Sequence, residues 1–234
     1  MAIAPATETV TFASDGTQLG GYLARPDGAG PFPGVVVIHE IFGLNDDIRS
    51  VARRFADVGY VALAVDLFAG GNRAVCMARV VGGGFVNPLE NRGVRGLKAA
   101  LTALAGRPEV DETRLGAIGF CLGGGFAIAW ACADDRLKAI APYYGTNPRP
   151  FDAVARLCPV VGSYPGKDFT TRAGKKLDIA LDGYDIPHDI KVYPEARHSF
   201  FNSQSSRYDA AAAEDSWTRV RAFFDERVRG QRRF

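Results

Sequence analysis

Apolar residues in this chain come in short continuous runs, and amphipathic stretches of helical period separate the runs. Gly34-Val35-Val36-Val37-Ile38-His39 is β-branched almost throughout, the pattern of a strand buried on both faces. Residues 60–65, 115–120, 137–141, 158–163 and 189–193 repeat that pattern. After the first run, Ile48, Val51, Ala52, Phe55 and Val58 form an apolar stripe at helical spacing, with Asn45 or Asp46 as cap and Gly59 as stop. Helices are also predicted over 93–104, directly after Cys121, over 171–183 and over 208–229. The last of these repeats Ala212, Trp217, Val220, Phe223 and Phe224 near a 3.6 period. At the amino end, two strand-like runs at 9–12 and 19–24 flank Asp15-Gly16, a strong hairpin turn signal. Residues 67–91 are glycine-rich without a clean period and read as a long excursion over one face, with a short helix around 74–81.

Strands alternating with helices over nearly the whole chain predict an α/β fold: a mostly parallel, doubly wound sheet with an N-terminal antiparallel hairpin. The 234 residues, 47% of them hydrophobic, fit one domain over 1–234. In such sheets the groups that act on ligands gather beyond the carboxyl ends of the strands. Glu40, Asp66, Cys121, Asp168 and His198 all follow predicted strands, so all five are placed to face one crevice.

Charge and cysteine use narrow the function classes. The balance of 28 basic against 26 acidic residues leaves +2, too little for a nucleic-acid footprint, and the basic tail 227–233 reads as a solvated helix end opposing the helix dipole. No run of about 18 uncharged apolar residues is present and residues 1–5 lack a basic region ahead of an apolar stretch, so neither a membrane span nor a secretion signal is expected. Cys76, Cys121, Cys132 and Cys158 match neither zinc nor redox-pair spacing, which fits a reducing cytoplasm with no metal and no cofactor.

The candidate chemistry begins at Gly119-Phe120-Cys121-Leu122-Gly123, which has the G-x-S-x-G nucleophile-elbow spacing with sulfur for hydroxyl. Two plainer readings compete: a glycine-rich turn that cradles phosphate, and a cysteine that only packs. Position separates them. His198 follows the last strand and Asp168 the one before, and nucleophile, acid, histidine is the chain order of α/β-hydrolase triads. Asp66 precedes the nucleophile and reads as a turn residue. His39 at a strand end reads as a satisfied core histidine, and His188 beside Pro187 as ordinary surface. The other three cysteines lack an elbow and read as packing, and Tyr143 and Tyr144 either line the crevice or fill the core.

His39-Glu40-Ile41-Phe42-Gly43-Leu44-Asn45, the elbow, Tyr143-Tyr144-Gly145, Gly166-Lys167-Asp168 and Arg197-His198-Ser199-Phe200 together resemble the motifs of the dienelactone hydrolase family, in order and in register. The resemblance implies an α/β-hydrolase fold, a Cys121-His198-Asp168 triad with Glu40 controlling the thiol, and an oxyanion hole from the backbone N–H groups of Ile41 and Leu122. The implied substrate is a small-molecule ester or lactone. Family members that act on dienelactone hold its carboxylate with arginines, one of them four residues after the histidine, where this chain has Asn202. Arg73, Arg79 and Arg92 are candidates to replace it, and Arg73, Tyr144 and Asn202 are taken as substrate-binding. A ligand-binding protein with a vestigial or oxidant-sensing thiol, or a hydrolase of a thioester or small amide, would carry the same residues. Turnover on an ester panel separates the first of these from an esterase.

Overall fold

The computed structural model describes residues 4–231, so residues 1–3 and the last arginines of the basic tail, Arg232 and Arg233, lie outside the described residues. The expected hairpin forms from β1 (Ala6–Ser14) and β2 (Thr17–Arg25). Asp15 and Gly16 between them both have positive φ, 47° and 72°, as a tight hairpin turn demands. The chain then runs through β3 (Phe32–Ile38), α1 (Asp46–Asp57) and β4 (Val61–Asp66). Two helices follow, α2 (Arg73–Val86) and α3 (Arg92–Ala105), before β5 (Val110–Phe120), α4 (Leu122–Ala131) and β6 (Leu137–Tyr143). A 3₁₀ turn at Phe151–Arg156 leads into β7 (Val160–Lys167), α5 (Thr171–Gly183), β8 (His188–Arg197) and α6 (Ala210–Arg227).

The eight strands form one sheet in the order β1-β2-β4-β3-β5-β6-β7-β8, antiparallel at β1/β2 and β2/β4 and parallel from there on. Alternation along each strand feeds two apolar layers. On β3, Val36 and Ile38 join Leu97, Leu101, Phe126 and Trp130 of α3 and α4 on one face. Val35 and Val37 join Phe55 of α1 and Trp217 and Phe224 of α6 on the other. The chain leaves β3 toward β4 and returns on its opposite side to β5, so the sheet has its switch point between β3 and β5. In open α/β sheets the ligand crevice lies beyond the carboxyl ends at such a point.

Several boundaries differ from the sequence expectation. The excursion holds a helix of 14 residues, α2, capped by Asn72 Oδ1 accepting from the N–H groups of Ala74 and Val75. Gly82-Gly83-Gly84 lowers its helix propensity, which hides its second half in the sequence. β7 and β8 continue past residues 163 and 193, where the apolar runs end, and through Pro165 and Pro194. β8 is the sheet edge, where proline is tolerated, and the β7/β8 register shifts beside Pro165. His188 opens β8 rather than sitting at the surface; its Nδ1 contacts Ile186 O at 2.7 Å and its Nε2 lies 3.3 Å from Asp178. The basic tail is not simply solvated: Arg229 folds back over the Tyr60 ring, 4.6 Å from its centroid, and donates to Val58 O.

Candidate active site at the carboxyl edge of the sheet

Register places the chemistry. Ile38 of β3 pairs with Gly119 of β5, so Glu40 and Cys121, two residues further on, leave the sheet side by side. Phe120 pairs with Tyr143, which sets Tyr144 next to Cys121 on the other side. Cys121 has φ 53° and ψ −112°, a conformation unfavourable by about 1–3 kcal/mol for a residue with a Cβ. The surroundings fix it: its N–H donates to Tyr143 O at 3.0 Å and its C=O accepts from Gly125 N–H at 3.1 Å. The flanking glycines are required for contact. A Cβ on Gly119 would lie 2.1 Å from Gly123 O, and one on Gly123 would lie 2.4 Å from Ile38 O, both backbone atoms that cannot give way.

Cys121 stands at the N-cap of α4, where the first-turn N–H groups have no intrahelical acceptor and the positive end of the helix dipole lies. Even so, burial and then the Glu40 carboxylate push the thiol up to about 11; the Leu122 backbone N–H opposes them, and Asp168 adds a smaller push upward. Glu40 is 3% exposed, and neutral donors hold its carboxylate: Ser199 Oγ at 2.7 Å on one oxygen and Asn202 Nδ2 at 3.0 Å on the other.

The histidine and the second carboxylate meet across two loops. His198 Nδ1 lies 3.0 Å from Asp168 Oδ2, while Asp168 Oδ1 accepts from Thr170 N–H at 2.8 Å and Thr170 Oγ1 at 2.5 Å. Thr170 therefore orients the carboxylate and leaves Oδ2 for the imidazole. The ring packs against Tyr144, with centroids 5.0 Å apart, and stacks on Phe169 at 5.3 Å and 20°. Among the described residues no hydrogen bond joins Cys121 to His198.

Buried His39 ties the neighbouring loop in place. Its Nδ1 lies 2.6 Å from Glu40 O and its Nε2 accepts from Leu67 N–H at 3.1 Å, a neutral arrangement in keeping with burial lowering its pKa. Asp66 accepts from Phe68 N–H at 3.0 Å, the turn role expected of it. Arg73 bridges the same turn to the loop after β3, donating to Asp66 Oδ2 at 3.3 Å and to Phe42 O at 3.0 Å. The structure thus brings Glu40, Cys121, Tyr144, Asp168, His198 and Asn202 together at the carboxyl edge of the sheet. Arg73 is at the loop behind Ile41, and Arg92 reaches Thr17 instead. Tyr144 is buried and its hydroxyl has no hydrogen-bond partner among the described residues.

Ser199, Thr170 and Phe169 are neighbours of the site that residue chemistry alone did not single out. Ser199 and Phe169 each adjoin a residue that was singled out, and no sequence pattern marks what a flanking side chain touches. A groove of about 820 Å³, lined in part by Lys98, Asp134, Arg136 and Arg156, opens at the carboxyl end of α4, away from the thiol at its amino end.

A family model described as the dienelactone hydrolase family matches residues 19–228. A protein of Saccharolobus solfataricus named "Putative carboxymethylenebutenolidase" is 32% identical, over 92% of this chain and 96% of that protein. One of the same name from Yersinia pestis is 33% identical over 92% of this chain and 86% of its own length. Among solved structures, a dienelactone hydrolase-like promiscuous phosphotriesterase from metagenomic libraries superposes with a TM-score of 0.87 at 29% identity, covering 96% of this chain and 99% of that one. Acylaminoacyl peptidase of Pyrococcus horikoshii, 14% identical with a TM-score of 0.79 over 99% of this chain and 43% of that one, shares the fold alone.

Proposed function

The chain belongs to the dienelactone hydrolase family and is a hydrolase, and from that premise we propose that it cleaves carboxylic esters or lactones by acyl transfer through Cys121, His198 and Asp168. One observation carries the reading: a thiol on a strained elbow at a helix N-terminus shares its crevice with an imidazole that a carboxylate orients at 3.0 Å. Each part has a use in acyl transfer.

In this reading the thiol proton passes to His198 as Cys121 attacks the carbonyl carbon. The oxyanion that forms accepts from the N–H groups of Ile41 and Leu122, and loss of one such donor lowers the rate by about 3–4 kcal/mol of barrier. The intermediate collapses to a thioester while His198 gives the proton to the departing alkoxide. Water, deprotonated by His198, then attacks the thioester, the C–S bond breaks to release the acid, and His198 returns the proton to the Cys121 sulfur. Asp168 keeps the imidazole in the tautomer with Nδ1 protonated and stabilises the imidazolium. A thiol pushed up to about 11 is protonated at neutral pH, so burial, and with it the Glu40 charge, keeps the nucleophile quiet until substrate arrives. Ser199 and Asn202 position Glu40, Arg73 braces the loop that carries the Ile41 amide, and buried Tyr144 packs against the His198 ring. A reducing compartment, the cytoplasm, would keep this thiol free.

Replacing Cys121 with Ala removes the nucleophile and leaves the backbone in place. The expected result is loss of hydrolysis on activated esters and lactones, together with a thioester adduct on Cys121 of the wild-type protein in intact-mass measurements at short times. Undiminished turnover by Cys121→Ala overturns the assignment.

A further inference from the structure

The face of α4 that starts at the nucleophile does not pack wholly into the core. Leu122, Gly125, Phe126 and Ala129, at i, i+3, i+4 and i+7, line one wall of a groove of about 320 Å³. Val81 and Gly84 of α2 form part of the facing wall, and the loop at Thr146 to Arg149 closes one side. The volume lies at the lower end of what small-molecule sites use. From Leu122 to Ala129 the helix rises about 10 Å, so the groove runs about that length along α4, away from its amino end. Its polar lining is already committed in part: Asn91 Oδ1 accepts from the N–H groups of Gly93 and Val94, and its Nδ2 donates to Asn87 O and Pro88 O.

We propose that this groove is an acyl-chain subsite, and that the hydrolase prefers esters whose acyl part carries an unbranched apolar chain of about the length of an octanoyl group. The inference rests on the acyl-transfer reading of Cys121 given above. Continuity with the site selects the acyl side. Leu122, which lines the groove, directly follows Cys121 and in that reading its N–H is an oxyanion donor, and none of the lining residues belongs to the loops of Asp168 or His198. The alcohol must leave where His198 can protonate it. The chain that stays attached to sulfur is therefore the one that lies along α4. The glycines leave the space: a Cβ on Gly84 meets only Phe126 Cζ, at 3.9 Å, an ordinary contact.

Gly84→Leu fills the groove from α2 and raises helix propensity at that position, so the variant is expected to fold. Two measurements test the proposal. The first is the ratio of kcat/KM for p-nitrophenyl octanoate over p-nitrophenyl acetate, which should favour octanoate in the wild type and fall at least about tenfold in Gly84→Leu. Octyl acetate, which places the same chain on the alcohol, should show no such preference. The second is calorimetric binding of octanamide, a neutral probe that avoids repulsion from Glu40; it should bind the wild type and bind Gly84→Leu at least about tenfold more weakly. No octanamide binding, a ratio unmoved by Gly84→Leu, or a preference that follows the alcohol chain overturns the subsite. Octanamide binding lost in Gly84→Leu, with neither p-nitrophenyl ester hydrolysed by the wild type, supports the groove and overturns the acyl-transfer reading alone.

Discussion

Glu40→Gln isolates the charge that restrains the thiol. Glutamine has the shape of glutamate and keeps both contacts, because its Oε1 accepts from Asn202 Nδ2 and its Nε2 donates to Ser199 Oγ, a hydroxyl that can accept as well as donate. With the thiol at about 11, only about one in a thousand Cys121 side chains is ionised at pH 8, against about one in four for an ordinary cysteine. Thiolate nucleophilicity rises with pKa at a Brønsted slope of about 0.4–0.5, which returns about tenfold, so alkylation of Cys121 at pH 8 should run about twentyfold slower than that of an ordinary thiol.

The size of the Glu40 share follows from the sheet. One pKa unit is about 1.36 kcal/mol, the repulsion of two unit charges about 12 Å apart at an effective dielectric constant of about 20. Glu40 and Cys121 leave adjacent paired strands, whose spacing is about 4.8 Å, so they are well inside that distance. Glu40→Gln should therefore lower the midpoint by at least about one unit and speed alkylation at pH 8 about threefold. Burial, the larger cause, remains and keeps the midpoint above the ordinary value. The assay is the rate of iodoacetamide labelling of the Cys121 peptide against pH, read by mass spectrometry so that Cys76, Cys132 and Cys158 do not contribute. Coincident profiles for wild type and Glu40→Gln would refute the electrostatic restraint, and a wild-type midpoint near 8.5 would refute the effect of burial.

Three further expectations concern orientation, packing and alkaline stability. Asp168→Asn should lower kcat on an activated ester about 10³- to 10⁴-fold with little change in KM, because the imidazole loses the partner that selects its tautomer; unchanged kcat removes Asp168 from the mechanism. Gly119→Ala drives a Cβ to 2.1 Å from Gly123 O and should lose about 3–5 kcal/mol in urea unfolding, whereas Gly82→Ala, which meets nothing within 4 Å, should gain about 1 kcal/mol. Burial pushes Cys121 up to about 11 and Cys132 and Cys158 up to about 12. All three are protonated in the native state at pH values where the unfolded chain ionises them. Their stabilising contribution is thus complete below about pH 8.5 and is lost as pH rises toward 12, so Tm should fall over that window and fall less in Cys132→Ala; a flat profile counts against it.

The fold was legible because burial on both faces writes strands as continuous apolar runs, and the core positions of α1 follow from its spacing alone. Legibility failed where local and tertiary preferences disagree. The triple glycine in α2 lowers propensity, yet Asn72 caps that helix. The apolar runs stop at 163 and 193, and only the sheet edge and the shifted β7/β8 register show why the strands continue through Pro165 and Pro194. In the site, strand-end positions and chain order were readable because they depend on connectivity. The roles of Asn202, Arg73 and Thr170 were not, because each depends on which atom a polar side chain meets.

Asn202 shows what that difference changes. Where an arginine would bring a positive charge to the Glu40 carboxylate, this chain supplies an amide N–H from Asn202 and a hydroxyl from Ser199, both neutral. A cation there would offset the field of Glu40 at the sulfur; neutral donors hold the carboxylate by hydrogen bonding and leave more of its charge acting on the thiol. The same exchange removes a cationic partner for an anionic substrate. In the proposed acyl-transfer reading a quiet thiol and a preference for uncharged esters are two expected results of one residue, and Asn202→Arg should move both together: Cys121 labelling at pH 8 should speed up, and hydrolysis should shift toward esters bearing a free carboxylate. If labelling changes while selectivity does not, the residue acts on the thiol alone and substrate charge is read elsewhere in the crevice.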